Sequence, residues 1–453
     1  MQKPSLPDMV INYPPGPKSR SPLGHLFEFA RNPLAFLVDV AAAYGDIAHF
    51  KIRKRDVYLL VHPEDVQEVL VTRQRHFVKN PGFQTIKKIL GEGLLSSEGT
   101  FHLRQRRMIQ PIFHKHKVAN YGEIMLERLV SFEKRWKDGS QISMDQEMAR
   151  LTLEIVGKAL FGAEVGGRTD QISTALNDAM SLFHHITSPA ALIRDRIPFL
   201  KDRRFERGKE RLDIEIVEII RSYRREESDT GSLLNLLIEA RDEEDPQARM
   251  TDEQIRDEAL TLLLAGHETT AVALTWVWYL LSQHPEVEAE LHEELNRVLA
   301  GRQPVVDDIP QLTLTARILE ETLRLYPPVY MLGRQTLEDF PARGYIIPAG
   351  SSVIVSPFIT QRDARFFPEP ERFNPQRWTP ENRSRLPKFA FFPFGGGQRV
   401  CIGEPFARQE SILILAALGQ VWSARTVPGY RADVQPRVTL RPRGGMPMIL
   451  KKR

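Results

Sequence analysis

The sequence predicts a mainly α-helical fold with a minor β-sheet region, built as one large domain, and three observations support this. Apolar residues recur three and four apart over residues 140–162, 203–228 and 251–283, the spacing that places them on one face of a helix. Alternation of apolar and polar residues is confined to short stretches, such as Ile47-Ala-His-Phe-Lys-Ile and Val57-Tyr-Leu-Leu-Val. There is no internal repeat, no low-complexity tract and no linker long enough to separate domains, so residues 1–453 read as one domain without a fused reductase.

Taken in order, residues 1–20 are proline-rich and lack an apolar core, which fits neither a signal peptide nor a membrane anchor. The two strands above follow, and from Glu98 to about Ala300 the pattern is helical. Thr251-Asp-Glu-Gln254 is a capping box, with threonine before the first turn and glutamine three residues on. The helix it opens should run about 30 residues, near 45 Å, long enough to cross a domain. A helix over 312–325 stops at Pro327-Pro328. Short strands are predicted at 335–336, 344–347 and 352–356, then a loop rich in Pro and Arg, a helix over about 403–421 and a β-rich tail.

The apolar run 259–281 is a poor membrane span, because His267, Glu268, Thr269 and Thr270 stand at its centre. A cytoplasmic protein is expected. The net charge of +4 gives no argument for nucleic acid. One cysteine, Cys401, excludes an intrachain disulfide and any multi-cysteine metal site. A lone cysteine is ordinarily a buried small apolar residue, so its neighbours must decide.

Those neighbours are Phe389-Ala-Phe-Phe-Pro-Phe-Gly-Gly-Gly-Gln-Arg-Val-Cys401-Ile-Gly403, directly ahead of a helix. Glycines allow positive φ and close approach of a flat partner. A helix N-terminus favours thiolate over thiol, and Arg399 adds a cation suited to a propionate. A thiolate that is the chain's only sulfur ligand implies a metal with its other ligands elsewhere, and haem iron fits.

The run Phe394-x-x-Gly397-x-Arg399-x-Cys401-x-Gly403 resembles the haem-binding signature of the cytochrome P-450 family at every defined position. The resemblance implies heme b (iron protoporphyrin IX) between the long central helix and the helix after the cysteine loop. Cys401 would be its axial metal ligand, with Phe394, Arg399 and Gly403 on the cofactor side. Glu321-Thr-Leu-Arg324 and Pro370-Glu-Arg372-Phe resemble two further family motifs. They imply a structural triad in which Glu321 and Arg324 share a helix face and Arg372 approaches the same carboxylate.

Ala265-Gly266-His267-Glu268-Thr269-Thr270 resembles the family's oxygen-side motif. Thr269 would be the alcohol that supports dioxygen and Glu268 the acid of a proton relay. Threonine hydroxyls there can bond back to the i−4 carbonyl and open the helix. His267 lies off this face and is not assigned as a ligand. Phe101-His102-Leu-Arg104-Gln-Arg106-Arg107 places His102 and Arg106 on one face, similar to a propionate-binding pair, although many relatives carry Trp at the position of His102. Arg334 is a further propionate partner by resemblance.

The function implied is a monooxygenase taking O₂, a lipophilic small molecule (fatty acid, terpenoid, steroid or macrolide) and two electrons from a separate ferredoxin or flavodoxin with its reductase. A monomer is expected. Residues 99–122 hold five Lys or Arg and no acid, and Arg104, Arg107 and Lys115 are candidates for docking the donor. By the same resemblance the substrate walls should come from 83–95, 181–199, 329–332 and 444–448, including the apolar residues Phe83, Ile86, Leu90, Leu94, Ile186, Met331 and Met446. Two alternatives stay open: a peroxide-driven or non-oxygenating haem-thiolate enzyme, and a haem-binding sensor or electron-transfer protein.

Overall fold

The computed structural model describes residues 13–80, 87, 90–162, 210, 213–214, 216–221, 223–224, 232–245 and 247–453. Most of the predicted helix over 203–228, the wall segment 181–199, Phe83 and Ile86 lie outside them. The longer helices are α1 (Pro33–Tyr44), α2 (Gly99–Ile109), α3 (Lys115–Glu133), α4 (Met144–Phe161), α5 (Asp252–Gln283), α6 (Pro285–Leu299), α7 (Thr313–Leu325) and α8 (Glu404–Val421).

Helix α5 is the axis of the molecule. It begins at the predicted capping box: Thr251 Oγ1 accepts from Gln254 N at 3.2 Å, and Gln254 Oε1 accepts from Thr251 N at 3.0 Å. It then runs 32 residues, 21 of them buried, against α4, α7 and α8. Packing of most of its middle inside the fold accounts for its apolarity. Gly266 permits the crossing with α4, since a Cβ there would lie 3.1 Å from Val156 Cγ2. The crossing is pinned where Thr152 Oγ1 donates to His267 O at 3.0 Å.

The strands are β1 (Ile47–Ile52), β2 (Arg55–Leu60), β3 (Phe77–Lys79), β4 (Gln141–Ser143), β5 (Leu332–Thr336), β6 (Phe340–Ala342), β7 (Tyr345–Ile347), β8 (Ser352–Val355), β9 (Trp422–Thr426), β10 (Val434–Pro436), β11 (Leu440–Pro442) and β12 (Pro447–Lys452). One sheet runs β1-β2-β8-β5-β3, a second β4-β12-β9, and β6-β7 and β10-β11 are hairpins. In the first sheet Lys79 pairs with Arg334, which sets two cationic residues side by side. The large core cluster lies among α2, α3, α4, α5 and α8, and a second one among α5, α6, α7 and α8.

Candidate haem-thiolate site

Cys401 sits in a loop just ahead of α8. Its amide donates to Phe394 O at 2.9 Å, closing the loop on itself. Gly395 (φ 75°) and Gly397 (φ 66°) take left-handed conformations that side chains disfavour. Their neighbour Gly396 is extended. Two of the glycines serve the chain's own packing: a Cβ at Gly397 would lie 2.0 Å from Leu70 O, and one at Gly396 2.5 Å from the Phe389 ring. Phe394 lies beneath the Arg408 guanidinium, 4.9 Å from ring centre to Cζ. Gly403 precedes α8, and a Cβ there would touch Cys401 Sγ at 4.0 Å.

Part of the Cys401 surface is open, yet its sulfur is deep enough that burial pushes the thiol pKa up. The N–H groups of Gly403 and Glu404 and the charge of Arg106 act in the opposite direction. The helix N-terminus therefore works as expected but does not by itself make a thiolate. A metal cation on the sulfur would.

A cluster of cationic groups gathers beside this loop. Arg399 NH1 donates to Ser97 O at 2.8 Å, and its other arm meets the Glu98 carboxylate. Arg106 NH1 donates to Val400 O at 2.9 Å. His102 is buried, and desolvation, followed by the charges of Arg399, Lys79 and Arg106, drives its pKa down to about 3. Burial, then Arg399, lowers Arg334 to about 10. Lys79 was not foreseen; burial, then Arg399, lowers it to about 7. Its signal is weak in the sequence, because only the β3–β5 pairing brings it to Arg334.

Among the described residues Glu98 is the acid in direct contact with this group. Four cations and an imidazole around one carboxylate form a site that gains from further negative charge. Two propionates beside a single sulfur ligand match that donor set, so the residues fit iron protoporphyrin IX.

On α5, Ala265 is exposed and Thr269 half-buried, while Leu263, His267, Glu268 and Thr270 are buried. One face four residues apart is thus open in an otherwise enclosed helix. Thr269 Oγ1 donates to Ala265 O at 2.8 Å and Thr270 Oγ1 to Gly266 O at 3.1 Å, the expected back-bonding. Glu268 turns elsewhere, since its Oε1 accepts from Thr439 Oγ1 at 2.6 Å and from Arg441 Nε at 2.9 Å. Sequence reasoning also missed Glu410 on α8. It faces the Thr270 hydroxyl without a partner inside hydrogen-bonding distance among the described residues, and burial raises its pKa well above the carboxylate range. An acid ahead of the apolar run Ser411-Ile-Leu-Ile-Leu was the available signal.

Glu321 and Arg324 are fully buried and paired twice, Nε to Oε2 and NH2 to Oε1, both at 2.9 Å. Arg372 is a correction. Its exposed side chain pairs with Glu369 Oε2 at 3.2 Å, and only its carbonyl meets Arg324, at 3.2 Å. The chain turns after Arg372 into a 3₁₀ segment, Pro375–Trp378, so Arg377 Nε (3.3 Å), Trp378 Nε1 (2.9 Å) and Asn374 N (2.9 Å) reach Glu321 instead. Gln361 joins this knot to the cysteine loop, donating to Leu323 O and accepting from Phe392 N, both at 3.0 Å.

Two of the three candidate docking cations carry acidic partners of this chain. Arg107 bonds Asp242 (3.2 Å) and Glu244 (2.7 Å), and Arg104 lies 3.4 Å from Asp242. Acids from a distant segment thus pair with two of the five cations, and the Lys115 side chain lies outside the description. Of the expected wall residues, Leu90, Leu94 and Met446 are buried and Met331 is half-buried, while Ile186 lies outside the described residues.

A single thiol offered from a glycine loop, cations placed for two carboxylates and an open notch on a buried helix define a haem-thiolate protein. The same conclusion comes from kinship. A family model for cytochrome P450 matches residues 14–443. Cyclooctatin synthase of Streptomyces melanosporofaciens is 37% identical over 92% of this chain and 91% of its own length. Pentalenene oxygenase of Streptomyces avermitilis is 35% identical over 91% of each. The crystal structure of the cytochrome P450DA heme domain superposes with a TM-score of 0.88 at 29% identity, covering 97% of this chain and 98% of that one. The chain belongs to the cytochrome P450 family. It is a haem-dependent monooxygenase of lipophilic molecules that takes O₂ and electrons from a redox partner.

Proposed function

We propose that the substrate is a terpenoid-sized hydrocarbon or alcohol and that Cys401 is the axial ligand of the haem. The substrate class is supported by relatives named for oxidising such molecules, among them a cyclooctat-9-en-7-ol 5-monooxygenase of Streptomyces melanosporofaciens, 35% identical over 90% of this chain. The observation that carries the ligand assignment is the lone Cys401 sulfur beside the cluster of Arg106, Arg334, Arg399, His102 and Lys79. When bound, the haem supplies dioxygen activation, with thiolate electron density favouring O–O cleavage. The test is the spectrum of the reduced protein under carbon monoxide. A strongly red-shifted Soret band supports a thiolate ligand; a band like that of histidine-ligated haem, or none after ample haem supply, overturns it.

In this reading Arg106, Arg334, Arg399, His102 and Lys79 hold the propionates, while Phe394 and Gly403 shape the thiolate side. Glu321, Arg324 and Arg377 brace the loop through Gln361. Thr269, whose hydroxyl proton goes to Ala265 O, would offer its hydroxyl oxygen as an acceptor in the open notch, or turn to donate there. Glu268 exchanges a proton at Oε2, because Thr439 and Arg441 both occupy Oε1. Thr269→Ala is expected to keep haem and substrate binding but to divert most electrons to peroxide. Coupling of NAD(P)H use to product that stayed within about twofold of wild type would remove Thr269 from the relay. The chain is read as one domain that acts as a cytoplasmic monomer reduced by a separate ferredoxin or flavodoxin.

A further inference from the structure

Two buried acids on α5, Asp257 and Glu258, have no role in the reading above. They stand about two turns before Ala265, and each spends an oxygen on a backbone amide of the segment after Leu90. Asp257 Oδ2 accepts from Glu92 N at 2.7 Å, and Glu258 Oε2 accepts from Leu94 N at 3.0 Å. The other Glu258 oxygen has no hydrogen-bond partner among the described residues. Burial pushes this carboxyl up to about 8, so it stays largely neutral near pH 7. A fully buried acid with an idle oxygen costs free energy that an apolar side chain would not. Its evident contribution is the bond to Leu94.

The packing around those bonds is close. A Cβ at Gly91 would lie 2.1 Å from Asp257 Oδ2, and one at Gly93 would lie 2.3 Å from Thr261 Oγ1 and 2.8 Å from Asp257 O. The backbone of the segment therefore rests directly on α5, which only glycine allows at these two points. On the far edge Lys79 Nζ donates to Leu94 O at 3.3 Å and to Leu95 O, and Arg399 donates to Ser97 O. Ser96 Oγ ties the turn internally to Gly91 O at 2.6 Å. A stretch reading Gly-Glu-Gly-Leu-Leu-Ser-Ser has little conformational preference of its own, so these ties set its shape. Leu94 and Leu95 thereby join the cluster that holds Leu262, Leu263 and Leu264 of α5, on the turns leading to the notch.

We propose that Asp257 and Glu258 latch residues 91–95 onto the long helix, and that Glu258, by fixing Leu94 and Leu95, is a positioning residue that sets how bulky a lipophilic substrate the pocket admits. This rests on the reading of the Cys401 site and adds a specificity determinant to it.

The test uses the haem-loaded full chain and two probes that bind haem iron, imidazole and 4-phenylimidazole, titrated by their Soret shift. Glu258→Ala is expected to change the ratio of the two Kd values by about fivefold, the scale of one lost hydrogen bond, with the imidazole Kd nearly constant. Glu258→Gln keeps an acceptor for Leu94 N and should leave the ratio as in wild type. Gly93→Ala drives a methyl into Thr261 and should shift the ratio as Glu258→Ala does; if Glu258→Ala fails to load haem, Gly93→Ala decides alone. An unchanged ratio, an equal change for both probes, or a Gln variant that behaves like Ala overturns the latch while leaving the haem site intact. Absence of any shift in the wild-type protein overturns the site and the latch together.

Discussion

Replacing Cys401 by serine should abolish the red-shifted Soret band of the reduced carbon monoxide complex and lower monooxygenase turnover to background. The physical reason is that a thiolate places negative charge and polarisable electron density on the iron, and a serine hydroxyl at the same position does neither. The sulfur has no substitute, because Cys401 is the only cysteine in the chain. Cys401→His should still take up haem, held by the cationic cluster, but give the spectrum of a histidine-ligated protein. The two variants thus separate ligation from retention: Arg106, Arg334 and Arg399 are untouched in both. A thiolate-type spectrum surviving in either variant would refute the assignment of Cys401.

Glu321→Ala should cost about 3–5 kcal/mol of stability, read as a loss of cooperative thermal unfolding at the wild-type midpoint. Removing this carboxylate leaves the fully buried Arg324 without its counter-charge and strips partners from Trp378 Nε1, Arg377 Nε and Asn374 N. Carbonyls of Gln361, Pro370 and Arg372 remain around Arg324 but carry no full charge. Because Gln361 joins this knot to Phe392 N, the damage should reach the cysteine loop and appear as reduced haem content in the purified protein. Arg372→Ala, by contrast, should change stability by no more than about 0.5 kcal/mol, since among the described residues its exposed guanidinium pairs with exposed Glu369. A large loss in Arg372→Ala, with little in Arg377→Ala, would show that the pairing around Glu321 is misassigned.

The contrast between Arg372 and Arg377 shows where sequence reasoning stops. Glu321 and Arg324 were legible because residues three apart on a helix always share a face. The third partner comes from a non-helical segment about 50 residues on, where spacing does not say which side chain turns inward. The same division runs through the site. The capping box at Thr251, the length of α5, its polar break and the lone cysteine ahead of a helix are local features, and their chemistry follows from neighbours in the chain. Lys79 beside Arg334, Glu410 facing Thr270, Glu268 held by Arg441, and Asp242 paired with Arg104 and Arg107 are contacts between distant segments.

By itself, then, the sequence determined the mainly helical class, the candidate haem ligand and the long helix with its polar break, since each depends on periodicity or on residues within a few positions of one another. Only the tertiary structure decided which charges are paired, which carboxyls are kept neutral by burial, and that the glycines before Cys401 accommodate Leu70 and Phe389. Hydrogen bonds and desolvation act over a few ångströms, and only the folded chain determines which distant residues come that close.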